Sequence, residues 1–344
     1  MENLKDNSTR SQSKESLDTS SGGVRLLILL PVMDDWNSAA LLIQKIDDIL
    51  EAEAIKSSVL IVDDGSTQPF SIEFFKKPFK NIENVEILQL RRNIGHQRAI
   101  AIGLTFIYER RACDAVLVMD ADGEDRPEDV PKLLKMFKAN SGQKVVFAHR
   151  LRRSEGLLFS FCYHLYRLLH YILTGIPVRV GNFSVVPFTR LSTLAVVSEL
   201  WNHYAAAIFR ARIPFETVPT ARGYRLSGGS KMNFVKLVTH GLSAISVFGE
   251  IMGTRVLIFV FIVTLLLTSL LFAIFLVRFF TDLAIPGWAT YSAGLVIIII
   301  FQIFTVAGGF LFFILNSRNN LGFIPLRDYK FFIDRVLEVD LRHE

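Results

Sequence analysis

The chain has 344 residues, of which 51% are apolar, with a formal charge of +5 and a mean hydropathy of +0.36. That mean is high for a wholly soluble protein, and so mild a positive charge fits an anionic membrane surface or phosphorylated ligands without calling for nucleic acid. The two cysteines, Cys113 and Cys162, form neither a metal-type pair nor a disulfide framework, as expected of a reducing compartment.

Residues 1–23 are nearly devoid of large apolar side chains and rich in Ser, Asn, Lys and Asp, the composition of a disordered arm. They hold no apolar signal-peptide stretch, so the following half is expected in the cytosol. From residue 24 the periodicity alternates. The run from Val24 to Met33 is almost continuously apolar, as in a strand covered on both faces. Asn37 or Ser38 is placed to cap the next helix. Further strands are expected at 59–63, 85–90, 115–120 and 145–149, with helices at 96–110 and 128–139. Alternation of this kind predicts a mostly parallel sheet with helices on both faces, and ligands at the carboxyl ends of its strands.

Acidic residues gather at those ends. Asp34 and Asp35 follow the first strand, Asp63-Asp64-Gly65-Ser66 closes the second, and Asp120-Ala121-Asp122 closes the fourth, with Glu124 and Asp125 beyond. Crowded carboxylates repel unless a cation or a donor-rich ligand holds them. Hard oxygen ligands suit Mg²⁺ or Mn²⁺ carrying a diphosphate, and a divalent ion explains the cluster after the fourth strand best. No G-x-G-x-x-G follows the first strand, which removes the main sign of a dinucleotide-dependent dehydrogenase. Residues 223–231 (GYRLSGGSK) have the wrong register for a P-loop, with Gly229 where the lysine belongs.

Further on, residues 157–173 and 232–250 read as helices with a polar stripe on an apolar surface, suited to the membrane interface. On the first, Ser160, His164, Arg167 and Tyr171 form that stripe. Two long apolar stretches follow, at 256–277 and 293–315, the second interrupted by Gln302. The first extends roughly 33 Å as a helix against a hydrocarbon core of about 30 Å. Arg255 and Arg318 flank the pair and Arg278 lies in the link, so the positive-inside rule gives a modest bias toward cytosolic ends. The domain reading is therefore an arm at 1–23, a catalytic domain at 24–230, a juxtamembrane helix at 231–253, two spans within 254–316 and a cytosolic tail at 317–344.

In order and spacing these motifs resemble the family 2 glycosyltransferases with a GT-A fold, and among them the polyprenyl-phosphate group that includes dolichol-phosphate mannose synthases and bactoprenol glucosyltransferases. The resemblance runs over about residues 24–320. It rests on Pro31 to Asp35, DDGS at 63–66, Arg92-Asn93-Ile94-Gly95, DAD at 120–122, Gly181-Asn182-Phe183-Ser184, Arg225 through Ser230-Lys231, and the two C-terminal stretches. It implies an α/β GT-A domain that moves a sugar, with inversion, from a nucleotide-sugar to a polyprenyl phosphate of undecaprenyl or dolichyl type at the cytosolic membrane face. Pro31, Asp35, Asp63, Asp64 and Asp120 would bind the donor nucleotide, although Asp34-Asp35 stands where the family has Asn-Glu. Asp122, Arg225 and Lys231 would be catalytic, Arg150 and Ser230 would hold phosphate, and Asp120, Asp122 and Glu124 would hold the metal, with Glu124 where the family often has Gln. His96, His203 and Trp201 read as structural.

The implied cofactor is Mg²⁺ or Mn²⁺, and the implied partners are the nucleotide-sugar, the lipid phosphate and the bilayer, with a homo-oligomer compatible. A bacterial inner membrane is preferred to the endoplasmic reticulum. Two other readings compete. A processive polysaccharide synthase would carry a Q-x-x-R-W box, and none of Trp36, Trp201 or Trp288 sits in one. A scaffold that kept the fold and lost catalysis has no reason to keep DAD and Ser-Lys.

Overall fold

The structure is a computed structural model that describes residues 24–75, 78–111, 113–150, 157–176, 180–227, 234–283, 285–319 and 322–339. The N-terminal arm expected to be disordered lies outside the described residues, as do Ser230 and Lys231.

The apolar run after residue 24 becomes strand β1 (Leu26–Val32), buried at every position. Then come α1 (Trp36–Ala52), β2 (Ser57–Asp63), β3 (Ile82–Leu90), α2 (His96–Arg110), β4 (Ala115–Val118), α3 (Val130–Ala139) and β5 (Val145–Arg150). The first helix starts two or three residues earlier than the Asn37 or Ser38 cap implied. Asp35 holds the cap position and Ser38 Oγ donates back to its carboxylate at 2.7 Å.

Beyond β5 the chain forms α4 (Leu157–Thr174), β6 (Ser184–Pro187), α5 (Phe188–Leu194), α6 (Tyr204–Arg210) and β7 (Phe215–Thr220). The C-terminal part forms α7 (Phe234–Ser246), α8 (Gly249–Phe280), α9 (Trp288–Asn319), the single turn α10 (Pro325–Asp328) and β8 (Ile333–Val339). The eight strands of the described residues make one sheet in the order β7-β5-β6-β4-β1-β2-β3-β8. Strands β6 and β8 run against the others, so the expected α/β fold with a mostly parallel sheet is what the chain adopts. Alternate residues of β1 explain the two cores. Leu26, Ile28 and Leu30 pack under α1 and α3, while Leu27 and Leu29 pack under α2, α5 and α6.

The stretch expected as one juxtamembrane helix is α7, then a break at Val247-Phe248, then α8. Both residues of the break are buried, packed with Ala206 of α6, which turns the chain. Helices α8 and α9 are long and apolar enough to cross a membrane, with mean hydropathies of 2.9 and 2.6 over their most apolar windows. At 32 residues α8 is about 48 Å long, so it outreaches a hydrocarbon core of about 30 Å. Gly253 lets the two helices meet closely, because a Cβ there would run into Ile314.

Residues 322–339, within the stretch 317–344 read from sequence as a tail, return to the sheet. Phe323 stacks on Trp201 at 3.7 Å between ring centroids, and Arg98 lies 5.0 Å over the same indole. Tyr329 is fully buried and its hydroxyl donates to Glu109 Oε2 at 2.6 Å. Strand β8 then pairs antiparallel with β3, from Val85 opposite Val339 to Leu90 opposite Ile333. The α8–α9 hairpin is therefore an insertion between two strands of one sheet, and it comes back to the side it left.

Candidate functional site

Parallel strands place their carboxyl ends along one edge of the sheet, and β6, running backwards, brings its amino end to that edge through the pairing of Val118 with Ser184. Each acidic cluster lies there, but the carboxylates do different jobs.

Asp34 has φ +49° and turns inward. Its Oδ1 accepts from Thr67 N at 2.7 Å, Thr67 Oγ1 at 2.9 Å and Gln68 N at 3.2 Å, stitching the loop after β1 to the loop after β2. Asp63 accepts from Ser66 N at 2.8 Å and Gln89 Nε2 at 3.3 Å. Asp64 accepts from Ile94 N at 2.7 Å, Gly95 N at 2.9 Å and Asn93 Nδ2 at 3.1 Å, which clamps the start of α2. Burial pushes the Asp64 carboxyl up to about 6 against those amide donors. Asp63 and Asp64 are both buried and hold the loops that shape the site.

Asp35, Asp122 and Arg225 meet. Arg225 Nη2 lies 3.1 Å from Asp35 Oδ2, and its Nη1 lies 3.5 Å from Asp122 Oδ2. All three side chains are about one-fifth exposed, so the pairing is poorly screened compared with a surface bridge. Burial also raises the Asp122 carboxyl above its ordinary range, with the Glu124 amide and Arg225 opposing. Among the described residues Arg225 Nε is buried without a hydrogen-bond acceptor, a donor available to a ligand.

The loop that carries Arg225 is fastened to the DAD loop by backbone. Leu226 N donates to Asp122 O at 2.9 Å and Gly223 N donates to Glu124 O at 2.8 Å. Arg222 adds its guanidinium to Glu124 Oε2 at 2.8 Å. Arg222 carries no sequence signal, since its partner lies 98 positions away. Asp120 N donates to Asp125 Oδ2 at 3.0 Å, and its own Oδ1 accepts from Asn182 Nδ2 at 3.2 Å. Pro31 lies within β1, opposite Val62, and Arg150 ends β5 with its side chain outside the described residues.

Whether a divalent ion suits this edge is a question of donors. Among the described residues no three His, Cys, Asp or Glu side chains stand together as a ligand set. Glu124 is held by Arg222, which leaves Asp120 and Asp122 as the carboxylates nearest the proposed use. Mg²⁺ and its relatives are commonly held by one or two carboxylates, with substrate phosphates and water completing the shell. A pair of hard oxygen donors beside an arginine with a spare N–H fits a metal–diphosphate.

Residues 32–189 match the family model described as Glycosyl transferase family 2. An uncharacterized glycosyltransferase of Bacillus subtilis is 24% identical over 281 residues, covering 78% of this chain and 81% of the relative. An undecaprenyl-phosphate 4-deoxy-4-formamido-L-arabinose transferase of Klebsiella pneumoniae is 22% identical over 247 residues, covering 67% of this chain and 72% of its own length. Among solved structures, mannosyl-3-phosphoglycerate synthase from Rubrobacter xylanophilus aligns with a TM-score of 0.47 at 15% identity, over 66% of this chain and 73% of that one.

Proposed function

Starting from a chain that carries a family 2 glycosyl transferase domain and is a glycosyltransferase, we propose that it transfers one sugar from a nucleotide-sugar to a polyprenyl phosphate at the cytosolic face of a bacterial inner membrane. The observation that carries this reading is the insertion of α8 and α9 between β7 and β8 of the catalytic sheet. A site tied at both ends of an apolar hairpin is held at a bilayer surface, where a lipid phosphate presents its head. The name of the Klebsiella pneumoniae relative supports the same acceptor class.

The chemistry follows from charge. A phosphate oxygen of the acceptor attacks the anomeric carbon, the bond from that carbon to the diphosphate breaks, and the nucleoside diphosphate leaves with the electron pair. One displacement inverts the centre. The acceptor phosphate is already largely dianionic near neutral pH, its second pKa being about 6, so no strong protein base is needed. Asp120 and Asp122 would hold a divalent ion, Mg²⁺ or Mn²⁺, which supplies neutralising charge to the leaving diphosphate when bound. Arg225 contributes a charge-assisted donor through Nε, and its ion pairs with Asp35 and Asp122 aim it at the same place. Asp35 keeps a place at the nucleoside end. Lys231, Ser230 and Arg150 complete the phosphate contacts in this reading, and Glu124 acts through Arg222 and the loop.

The surface near the hairpin supports membrane contact. Leu165, Leu168, Leu169 and Ile172 of α4 are each about half exposed. Arg255, at the foot of α8, donates through Nη1 to Ile172 O at 2.6 Å and Tyr171 O at 3.3 Å, holding α4 against the span. Such a face is stable only where apolar surface is covered, and the interfacial layer of the bilayer covers it. The test is a screen of radiolabelled nucleotide-sugars against membranes containing the protein. The expected outcome is that one donor labels the organic phase. Label that enters only water-soluble or polymeric material would refute the lipid-phosphate acceptor.

A further inference from the structure

The geometry points to Asn182, backed by Gln97, as a positioning residue that fixes the Asp120 carboxylate for the divalent cation and donor diphosphate; this rests on the metal reading proposed above. In this role both act through Asp120. The rotation of an Asp carboxylate about its last torsion is intrinsically loose, so something outside the side chain must set it.

A relay of hydrogen bonds supplies the constraint. Tyr204 N, at the start of α6, donates to Gln97 Oε1 at 2.7 Å. Gln97 Nε2 donates to Asn182 Oδ1 at 2.9 Å, and Asn182 Nδ2 donates to Asp120 Oδ1 at 3.2 Å. The direction of this chain is not arbitrary. A backbone N–H can only donate and an ionised carboxylate can only accept, so the two amides between them have one permitted orientation each. His96 Nε2 lies 3.0 Å from the same Gln97 nitrogen and must therefore accept, which requires a neutral imidazole.

The relay is built into the core. Gln97 and Asn182 are both more than nine-tenths buried. Ser184 Oγ donates to Asn182 O at 2.9 Å and lies 2.6 Å from the hydroxyl of the fully buried Tyr204, so the Asn182 backbone is held as well. Two buried amides with no ligand of their own are an expensive way to fill space, because each needs partners for both ends. Their polarity terminates on a carboxylate at the site edge.

Two variants test the relay. Asn182→Ala removes the donor. Gln97→Glu keeps the side chain's shape but, ionised, cannot donate, so Asn182 must turn its nitrogen toward residue 97 and its oxygen toward Asp120. Mn²⁺ is titrated calorimetrically into purified protein with UDP or GDP, whichever binds the wild type, and nucleotide binding is measured again in EDTA. The expected result is a Mn²⁺ affinity lowered about 10–100-fold in each variant, the range for partners of metal ligands, with metal-free nucleotide affinity changed by less than about twofold. A merely structural role would weaken both binding events together. Wild-type Mn²⁺ affinity in either folded variant overturns the proposal, and should Asn182→Ala fail to fold, Gln97→Glu decides alone. If the wild type itself binds no Mn²⁺, the metal reading is refuted and the relay's purpose falls with it.

Discussion

Replacing Gly123 with alanine probes the link between the DAD loop and the loop that carries Arg225. Gly123 has φ +83°, and a Cβ there would stand 2.5 Å from Leu226 Cγ and 2.9 Å from its Cδ1. Two costs follow. An L-residue in that conformation costs about 1–3 kcal/mol, and overpacking a filled contact adds about 1–3 kcal/mol. Gly95 separates them. Its φ is +95° with ψ 146°, equally hostile to a side chain, yet nothing lies within 4 Å of its Cβ position. Gly95→Ala should therefore lose about 1–3 kcal/mol, and Gly123→Ala about 2–6 kcal/mol. Urea unfolding in detergent, followed by tryptophan fluorescence, measures both, with Trp36 buried in the sheet domain as a reporter. Adding Leu226→Ala to Gly123→Ala should recover part of the loss, with a coupling of about 0.5–3 kcal/mol favouring the double variant. Additive effects, or a Gly123→Ala no worse than Gly95→Ala, would refute the idea that Leu226 seals the two loops together.

Asp122→Asn should reduce transfer about 100-fold or more while leaving unfolding near wild type, since a direct ligand outranks the partners that typically carry about 10–100-fold; near-normal turnover at saturating metal and donor would sink the assignment. Asp64 bears on pH. Its folded-state pKa is raised to about 6, so it adds stability in full below its unfolded value and loses it as pH rises through about 6. The melting-temperature gap between wild type and Asp64→Asn should then narrow from pH 4 to pH 7, and a constant or widening gap would contradict the desolvation argument. Gly253→Leu should push α8 away from Ile314 and destabilise the hairpin, with Ile314→Ala restoring part of it, read as thermal stability in detergent.

The early part of the fold was legible because β1 to β5 are buried on both faces and separated by well-formed helices, which writes two distinct periods into the chain. The strands that escaped notice are short or half exposed. Strand β6 has only four residues, β7 alternates burial weakly, and β8 pairs with a strand more than 240 positions away. Local pattern carries no trace of such a partner. At the site, sequence could bring Asp35 and Asp122 to one edge, and the structure sets Arg225 between them. It could not tell which of the adjacent acids face outward, since that depends on a single backbone angle at Asp34 and on amides from the 93–95 loop that claim Asp64. Glu124 looks like a metal ligand in sequence, and only the folded chain reveals Arg222 beside it.

Single sugar transfer to a lipid phosphate leaves its signature in the intact mass of the lipid. Purified protein is incubated with the active nucleotide-sugar, Mg²⁺ and undecaprenyl phosphate, then the lipid is extracted and weighed by mass. The expected result is a gain of one glycosyl residue per lipid, matched one to one by nucleoside diphosphate released, and neither event without the lipid phosphate. A ladder of added residues would make the enzyme processive, and nucleoside diphosphate released at full rate without the lipid would contradict the acceptor altogether.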